Sequence, residues 1–237
     1  MTTEEVNSVL ANIDDLGFLS PEKTELLLGA IIKMHPTQKR NAVSKLTQNR
    51  MSAGGANLSP RDEAMMRIGM LPEDIRKGLA DKRLQLVDAV YYIRKAAGAS
   101  TFIKMITNGD TKVVGTSNLS AGKFDKDGHF LLTHIRLQTG VSATAITDAP
   151  FSTPEKGVLN GQVEFKCGSK YILPNEVSAR IFDTTGLTEV TPGTFRLSNP
   201  KWLEPQQAIE FNLSLAQAAA ANTWISVEMV GVAVSPF

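Results

Sequence analysis

The chain contains little of the chemistry on which disulfide frameworks and metal sites depend. Only one of its 237 residues is a cysteine, Cys167, so an intrachain disulfide and a cysteine-based zinc site are both excluded. Three histidines, His35, His129 and His134, are too few for a histidine-rich metal site. The sequence therefore predicts that the protein holds no metal and no other cofactor.

Long apolar runs and a strong net charge are also absent. No stretch of 18 or more apolar residues occurs, which predicts that the chain has no transmembrane helix. The N-terminus, MTTEEVNSVL, carries acids where a signal peptide has positive charge, so we expect no secretory signal. The formal net charge is +1, from 25 lysines and arginines against 24 acids, which disfavours a globally basic nucleic-acid binder.

Motifs for catalysis are missing as well. There is no glycine-rich phosphate loop, no GxSxG and no HExxH. The sequence DTTG at 183–186 resembles the DTG of aspartic proteases, but it has an extra threonine and one copy, so we predict a turn. His129 and His134 are five residues apart and fall on opposite faces of a strand, and Cys167 lies in an apolar strand that predicts a buried, inert thiol. We expect no catalytic residue and no small-molecule substrate.

The residue types that are present change near residue 100. Twelve of the 15 aromatic residues lie after it, including nine of the ten phenylalanines. The part before it contains short helix signals, with helices predicted to begin at Pro60 and at Pro72, the second running to Gly98. We place the boundary at Gly98–Ser100, which predicts a helical region over 1–99 and a second region over 100–237.

The second region predicts an antiparallel β-sandwich, which makes the fold class α+β. About nine or ten short apolar runs alternate with turns, and no helix-length amphipathic pattern separates them. The runs TFIKMIT and TKVVGTS flank Asn108-Gly109, which predicts a hairpin. The others are HFLLTHIRLQ, VSATAIT, GQVEFKC, SKYIL, VSARIF, GTFRLS, QAIEFNLSL and TWISVEMVGVAV, with LAQAAAAN as a short helical segment. The last strand is apolar on both faces, so it is either central or buried by a neighbouring subunit.

One electrostatic feature stands out in the helical region. The 36 residues between Glu25 and Asp62 contain no acid. A phosphate-facing surface, toward nucleic acid or lipid head groups, is one interpretation, and a solvated or protein-facing surface is the other. The basic residues of this stretch are Lys33, Lys39, Arg40, Lys45, Arg50 and Arg61.

The end of the chain resembles the end of a viral capsid jelly roll. Residues 193–215, GTFRLSNPKWLEPQQAIEFNLSL, combine a strand, a proline-bracketed aromatic turn and an IEFNL strand, and TWISVEMVGVAV follows as a long last strand. FKCGSKYILPNEVSARIFDT is similar in style, so the resemblance covers about residues 101–237. It implies a single jelly roll in a structural subunit of an icosahedral bacterial virus. The implied partners are copies of itself and other virion proteins, and the implied location is the virion, after synthesis in the host cytoplasm.

Two alternatives stay open at this point. The helical region is longer than a simple arm, which is compatible with a minor capsid, spike-base or decoration role as well as with a major capsid protein. A β-sandwich with short polar loops also suits a glycan-binding module or an adhesin. Trp202 is the candidate aromatic for a sugar site, although its proline-flanked setting predicts a packed corner instead.

Overall fold

The computed structural model describes residues 59–126, 128–186 and 190–237. Residues 60–237 form one compact unit, built mainly from two four-stranded antiparallel sheets. The helices predicted before residue 59 lie outside the described residues. Within the described ranges, no helix is both long enough and apolar enough to cross a bilayer.

The described part begins with two helices and continues as eight strands. The helices α1 (Pro60–Met66) and α2 (Glu73–Ala80) confirm the predicted starts at Pro60 and Pro72, and a 3-10 turn at Ile68–Met70 joins them. The short helix α3 (Lys156–Leu159) precedes the fourth strand. The strands are β1 (Leu84–Ala96), β2 (Phe102–Lys104), β3 (Phe130–Val141), β4 (Gln162–Cys167), β5 (Lys170–Ser178), β6 (Thr194–Leu203), β7 (Ile209–Ser214) and β8 (Thr223–Pro236).

The strand order links the first half of the chain to the second. The first sheet has the order β1-β8-β3-β6 and the second has the order β2-β7-β4-β5. Each early strand therefore pairs with a late one, as β1 with β8, β2 with β7, β3 with β6 and β4 with β5. The further pairs β3–β8 and β4–β7 complete the two sheets. The result is a β-sandwich, as predicted.

The main core lies between the two sheets. Alternate residues of β8, among them Ile225, Val227 and Met229, point into it and are fully buried. Phe165 of β4 and Phe211 of β7 meet there with ring centroids 5.6 Å apart. The inner face of β8 packs in this core, and its outer residues Val232 and Val234 are buried in a second cluster with the helices, which together explain its apolar composition.

The prediction of one helix from residue 72 to residue 98 is wrong beyond Ala80. Residues 84–96 form β1, which pairs with β8 along its whole length without a register shift. Its stretch VDAVYYI is rich in β-branched and aromatic residues, which favour strands, although its apolar spacing also fits a helix. The predicted boundary at residue 100 put β1 in the helical region, whereas it belongs to the compact unit.

The strand predictions at β3, β4, β5, β6, β7 and β8 are confirmed. The hairpin at Asn108-Gly109 is wrong, because β2 pairs with β7 and residues 111–117 form a loop. The runs at 141–147 and 177–182 end in 3-10 turns, Ile146–Asp148 and Ala179–Phe182, and residues 215–222 do not form a helix. At β2, pairing with the distant strand β7 outweighs the local hairpin pattern.

Candidate functional site

The outer face of the β1-β8-β3-β6 sheet is divided into an apolar half and a polar half. Helices α1 and α2 cover the apolar half and form a second core with it. Trp202 is buried in this core and its Nε1–H donates to the carbonyl oxygen of Arg67, 3.1 Å away. The predicted packed corner at Trp202 is thus confirmed. The buried members are Ala64, Leu71, Leu131, Trp202, Val232 and Val234.

The polar half lies on the same strands, beyond the helices. Two rows of side chains cross it, because the register places Arg94 and Gln138 beside Ser226, and Tyr92 and Arg136 beside Glu228. An ion pair joins the guanidinium of Arg136 to the carboxylate of Glu228. The guanidinium of Arg94 lies 5.1 Å from the ring centre of Tyr92 and 4.9 Å from that of Phe151. Cationic and aromatic groups therefore dominate this half.

An ion pair between a buried acid and a partly exposed arginine marks the border between the two halves. Glu63 of α1 is 5 % exposed and its Oε1 accepts a hydrogen bond of 2.7 Å from Arg196 of β6. His134 of β3 faces the same pair, with Arg136 as a further positive neighbour. Burial lowers the pKa of His134, and the positive charge of Arg196 lowers it further. Helix α1 is thus attached to the sheet by charge as well as by apolar contact.

Three buried side-chain atoms have no hydrogen-bond partner among the described residues, and all three belong to this face or its border. They are Oε2 of Glu63, Nε of Arg94 and Oγ of Ser226. A buried polar atom left unsatisfied costs about 1–3 kcal/mol. The outer face and its border therefore contain buried polar atoms without hydrogen-bond partners, whereas the described residues of the inter-sheet core contain none.

The outer edge of β1 is covered along its second half by a loop. Asn118 accepts from the N–H of Tyr92 through Oδ1 at 2.7 Å and donates through Nδ2 to the carbonyl of Val90 at 2.8 Å. The N–H of Arg94 donates to the carbonyl of Thr116 at 2.8 Å. These bonds replace the neighbouring strand that β1 lacks on this side.

The same loop presents two exposed valines, which we call the valine tip (Val113 and Val114). Val114 is 97 % exposed and Val113 is 51 % exposed. The tip is held by a tight turn, because Val113 accepts from Thr116 and exchanges two bonds with Ser117. Gly115 allows the turn with φ +82°. The tip is thus an exposed apolar pair held on a hydrogen-bonded turn.

The first half of the β1 edge differs, since no described residue covers it. Nearby, α2 and the start of β1 line an open groove of about 370 Å³, which we call the α2 groove. Its lining mixes apolar and charged side chains: Asp74, Ile75, Lys77, Gly78, Arg83 and Leu84. The valine tip, the uncovered edge and the α2 groove are the features of this region that offer contacts to a partner.

Of the predicted phosphate-facing residues, only Arg61 falls within the described residues. It is exposed in the first turn of α1. The other five, Lys33, Lys39, Arg40, Lys45 and Arg50, lie outside the described residues. The phosphate-facing surface therefore stays a prediction.

The residues that were candidates for catalysis on sequence grounds lie in the core, in a turn or next to a strand. Cys167 is buried, and burial raises the pKa of its thiol to about 11, as expected for an inert cysteine. The side chain of Asp183 accepts from the N–H of Thr185, which confirms the predicted turn. His129 lies just before β3, and no group of three metal-binding side chains occurs among the described residues.

Comparison with known proteins adds no assignment, because no family model and no curated protein matches the sequence.

Sequence reasoning missed the loop that carries the valine tip. Residues 111–117, TKVVGTS, fit a strand by residue type, because two adjacent valines favour one. The glycine that follows them was the available signal of a turn. The interactions of Asn118 with β1 could not be predicted, since they join residues 26 and 28 positions apart.

Proposed function

We propose that the sandwich is a single jelly roll and that the chain is a structural subunit of an icosahedral bacterial-virus shell. The observation that carries this proposal is the nested pairing of early strands with late ones. A chain that folds back at the β4–β5 turn into one long hairpin, and then rolls up, produces these pairs and these two sheet orders. Eight strands in two such sheets are the jelly-roll arrangement found in capsid and lectin domains.

A fold does not determine a function, so the surface has to support the proposal too. The valine tip, the uncovered β1 edge and the α2 groove are features that a chain uses to contact other chains. The described acids and histidines form no metal-binding cluster, and the only cysteine is buried. A non-catalytic subunit that assembles through contacts of its sandwich and its helical region fits these features best.

The proposed partners are further copies of the chain and other virion proteins, and the proposed location is the virion. The test is the mass of the purified full chain by light scattering, with negative-stain images of the heaviest fraction. We expect closed shells or a regular ring of subunits. A strict monomer at every concentration and salt would contradict the proposal and move a glycan-binding module to first place.

Phosphate contact through residues 33–61 remains part of the proposal. Replacing Lys39, Arg40, Lys45 and Arg50 with glutamine should flatten the salt dependence of binding to duplex DNA or to phosphatidylserine vesicles. For duplex DNA we expect the slope to fall by about 0.9 for each phosphate contact removed. The matched control replaces four exposed lysines of the compact unit with glutamine and should leave the slope unchanged: Lys77, Lys112, Lys126 and Lys170. An unchanged slope in the test variant would remove phosphate contact from the proposal.

A further inference from the structure

The backbone groups of β1 alternate between its neighbour β8 and the opposite, outer edge. At the outer edge the groups of Tyr92 and Arg94 bond to the loop residues Asn118 and Thr116. Because β1 pairs with β8 without a register shift, the alternation holds along the whole strand. The outward groups of the first half therefore belong to Leu84, Leu86 and Asp88. We call residues 84–88 the open edge, since none of the described residues bonds to these outward groups.

We propose that two copies of this chain pair through the open edge, antiparallel and two-fold symmetric about Leu86. In this register Leu86 faces its own copy, and Leu84 faces Asp88 of the second copy. Each facing pair exchanges two main-chain hydrogen bonds, so the pairing forms about six. Symmetric use of one patch by both chains is the commonest way in which proteins form dimers.

The charges at the two ends of the open edge favour this antiparallel pairing. Asp88 is exposed at one end, and Arg83, which pairs with Asp81 of its own chain at 3.2 Å, has a side chain that is 71 % exposed just before the other. An antiparallel pair brings the acid of each copy to the base of the other. A parallel pair would place the two Asp88 carboxylates together, which is unfavourable.

The valine tip and the α2 groove fit the same arrangement. The tip is attached to β1 at Tyr92 and Arg94, about 20 Å and about 27 Å along the strand from Leu86 at about 3.4 Å per residue. In the register centred on Leu86, positions 92 and 94 of one copy lie opposite positions 80 and 78 of the other, which precede β1. The α2 groove opens there, between Gly78 and Leu84. Each copy therefore offers an apolar tip to the groove of the other.

This pairing rests on the proposed self-assembly and specifies one of its contacts. Asp88→Pro tests it, because it removes an outward N–H and leaves the ladder to β8 with all its donors. Asp88→Ala is the control that keeps the N–H. Val114→Asp tests the valine tip independently, with Val141→Asp as its control, since Val141 is 53 % exposed at the end of β3. Sedimentation of each full chain across a concentration series measures self-association, and circular dichroism verifies folding.

We expect the dissociation constant to rise at least tenfold in Asp88→Pro and in Val114→Asp, to stay unchanged in Val141→Asp, and to rise much less in Asp88→Ala, which keeps the N–H and loses only an exposed charge. If Asp88→Pro does not fold, the outcome of Val114→Asp decides. Assembly of all variants like the wild type would overturn this pairing and leave the proposed function standing. A wild-type chain that never associates would contradict the proposed function and this pairing with it. If Asp88→Pro assembles normally but makes residues 1–58 sensitive to trypsin, the open edge is covered by the chain itself and the pairing is wrong.

Discussion

The two halves of β1 are protected in opposite ways. In residues 84–88 the outer side chains of Leu84 and Leu86 pack against the cluster that α1 and α2 form with the sheet, while the backbone edge has no partner among the described residues. In residues 90–94 the edge is closed by the loop around Asn118, while the outer side chains face a polar surface. A single strand thus exposes its backbone at one end and its side chains at the other.

This difference shows that α1 and α2 complete the sandwich. Their apolar residues cover the part of the sheet where β8 and β3 place Val232, Val234 and Leu131 outward. Past the helices, the same alternating positions carry Ser226 and Glu228. The composition of each strand therefore follows what covers it, and among the described residues the outward backbone groups of the open edge have no partner.

The largest effect on stability should come from weakening the contact of α1 and α2 with the outer face of the sheet. Trp202→Ala deletes the main contact between β6 and the two helices, so we expect a loss of about 3–5 kcal/mol in the free energy of unfolding. Trp202→Phe should cost less, because it loses the hydrogen bond to Arg67 but keeps most of the apolar contact. Urea unfolding measures both. A loss below about 1 kcal/mol in Trp202→Ala would show that the helices contribute little cover.

A smaller loss should follow from breaking the ion pair at the border. Arg196→Met leaves the carboxylate of Glu63 buried without its charged partner, and we expect about 2–3 kcal/mol of destabilisation in urea. Adding Glu63→Gln to that variant should restore part of the loss. As a control, Lys170→Met removes an exposed pair with Glu204 and should change stability by at most about 0.5 kcal/mol. Equal losses of stability in the two single variants would contradict the claim that the Glu63–Arg196 ion pair attaches α1 to the sheet.

The role of the loop in covering the second half of the β1 edge can be tested at Asn118. Asn118→Ala removes the acceptor of the Tyr92 N–H and the donor to the Val90 carbonyl, so we expect a loss of about 2 kcal/mol. Asn118→Asp keeps the acceptor and should lose less. The same urea titration applies. If Asn118→Ala is as stable as the wild type, this half of the edge does not depend on the loop.

The smallest effect should be a pH dependence at the border. Burial and Arg196 lower the pKa of His134 in the folded chain, while Arg136 opposes and Glu63 favours its protonation. The unfolded chain therefore binds the proton first as pH falls, and stability should decrease as pH drops below about 6.5 and level off below the folded pKa. We expect the urea midpoint to fall more from pH 7.5 to 5.5 in the wild type than in His134→Gln. Identical pH profiles would contradict this account.

The sequence predicted the sandwich, most of its strands and the starts of α1 and α2. These features depend on local signals, namely period-two alternation and a proline at the start of a helix. It missed β1, because LQLVDAVYYI fits both a helix and a strand, and only the ladder to β8 decides between them. The valine tip and the open edge depend on contacts between distant segments, which residue spacing does not encode.

Amide hydrogen exchange in β1 tests the central claim most directly. That claim is that the first half of β1 is an open edge through which two copies of the chain pair. NMR would follow single amides in the dissociated Val114→Asp chain, and exchange followed by quenching would do so in the assembled wild type. We predict that in the dissociated chain the amides of Leu86 and Asp88 exchange fast while that of Val87 is protected by β8. All three should be slow in the assembly. Slow exchange at Leu86 and Asp88 in the dissociated chain would contradict the account, because the edge would then already be occupied.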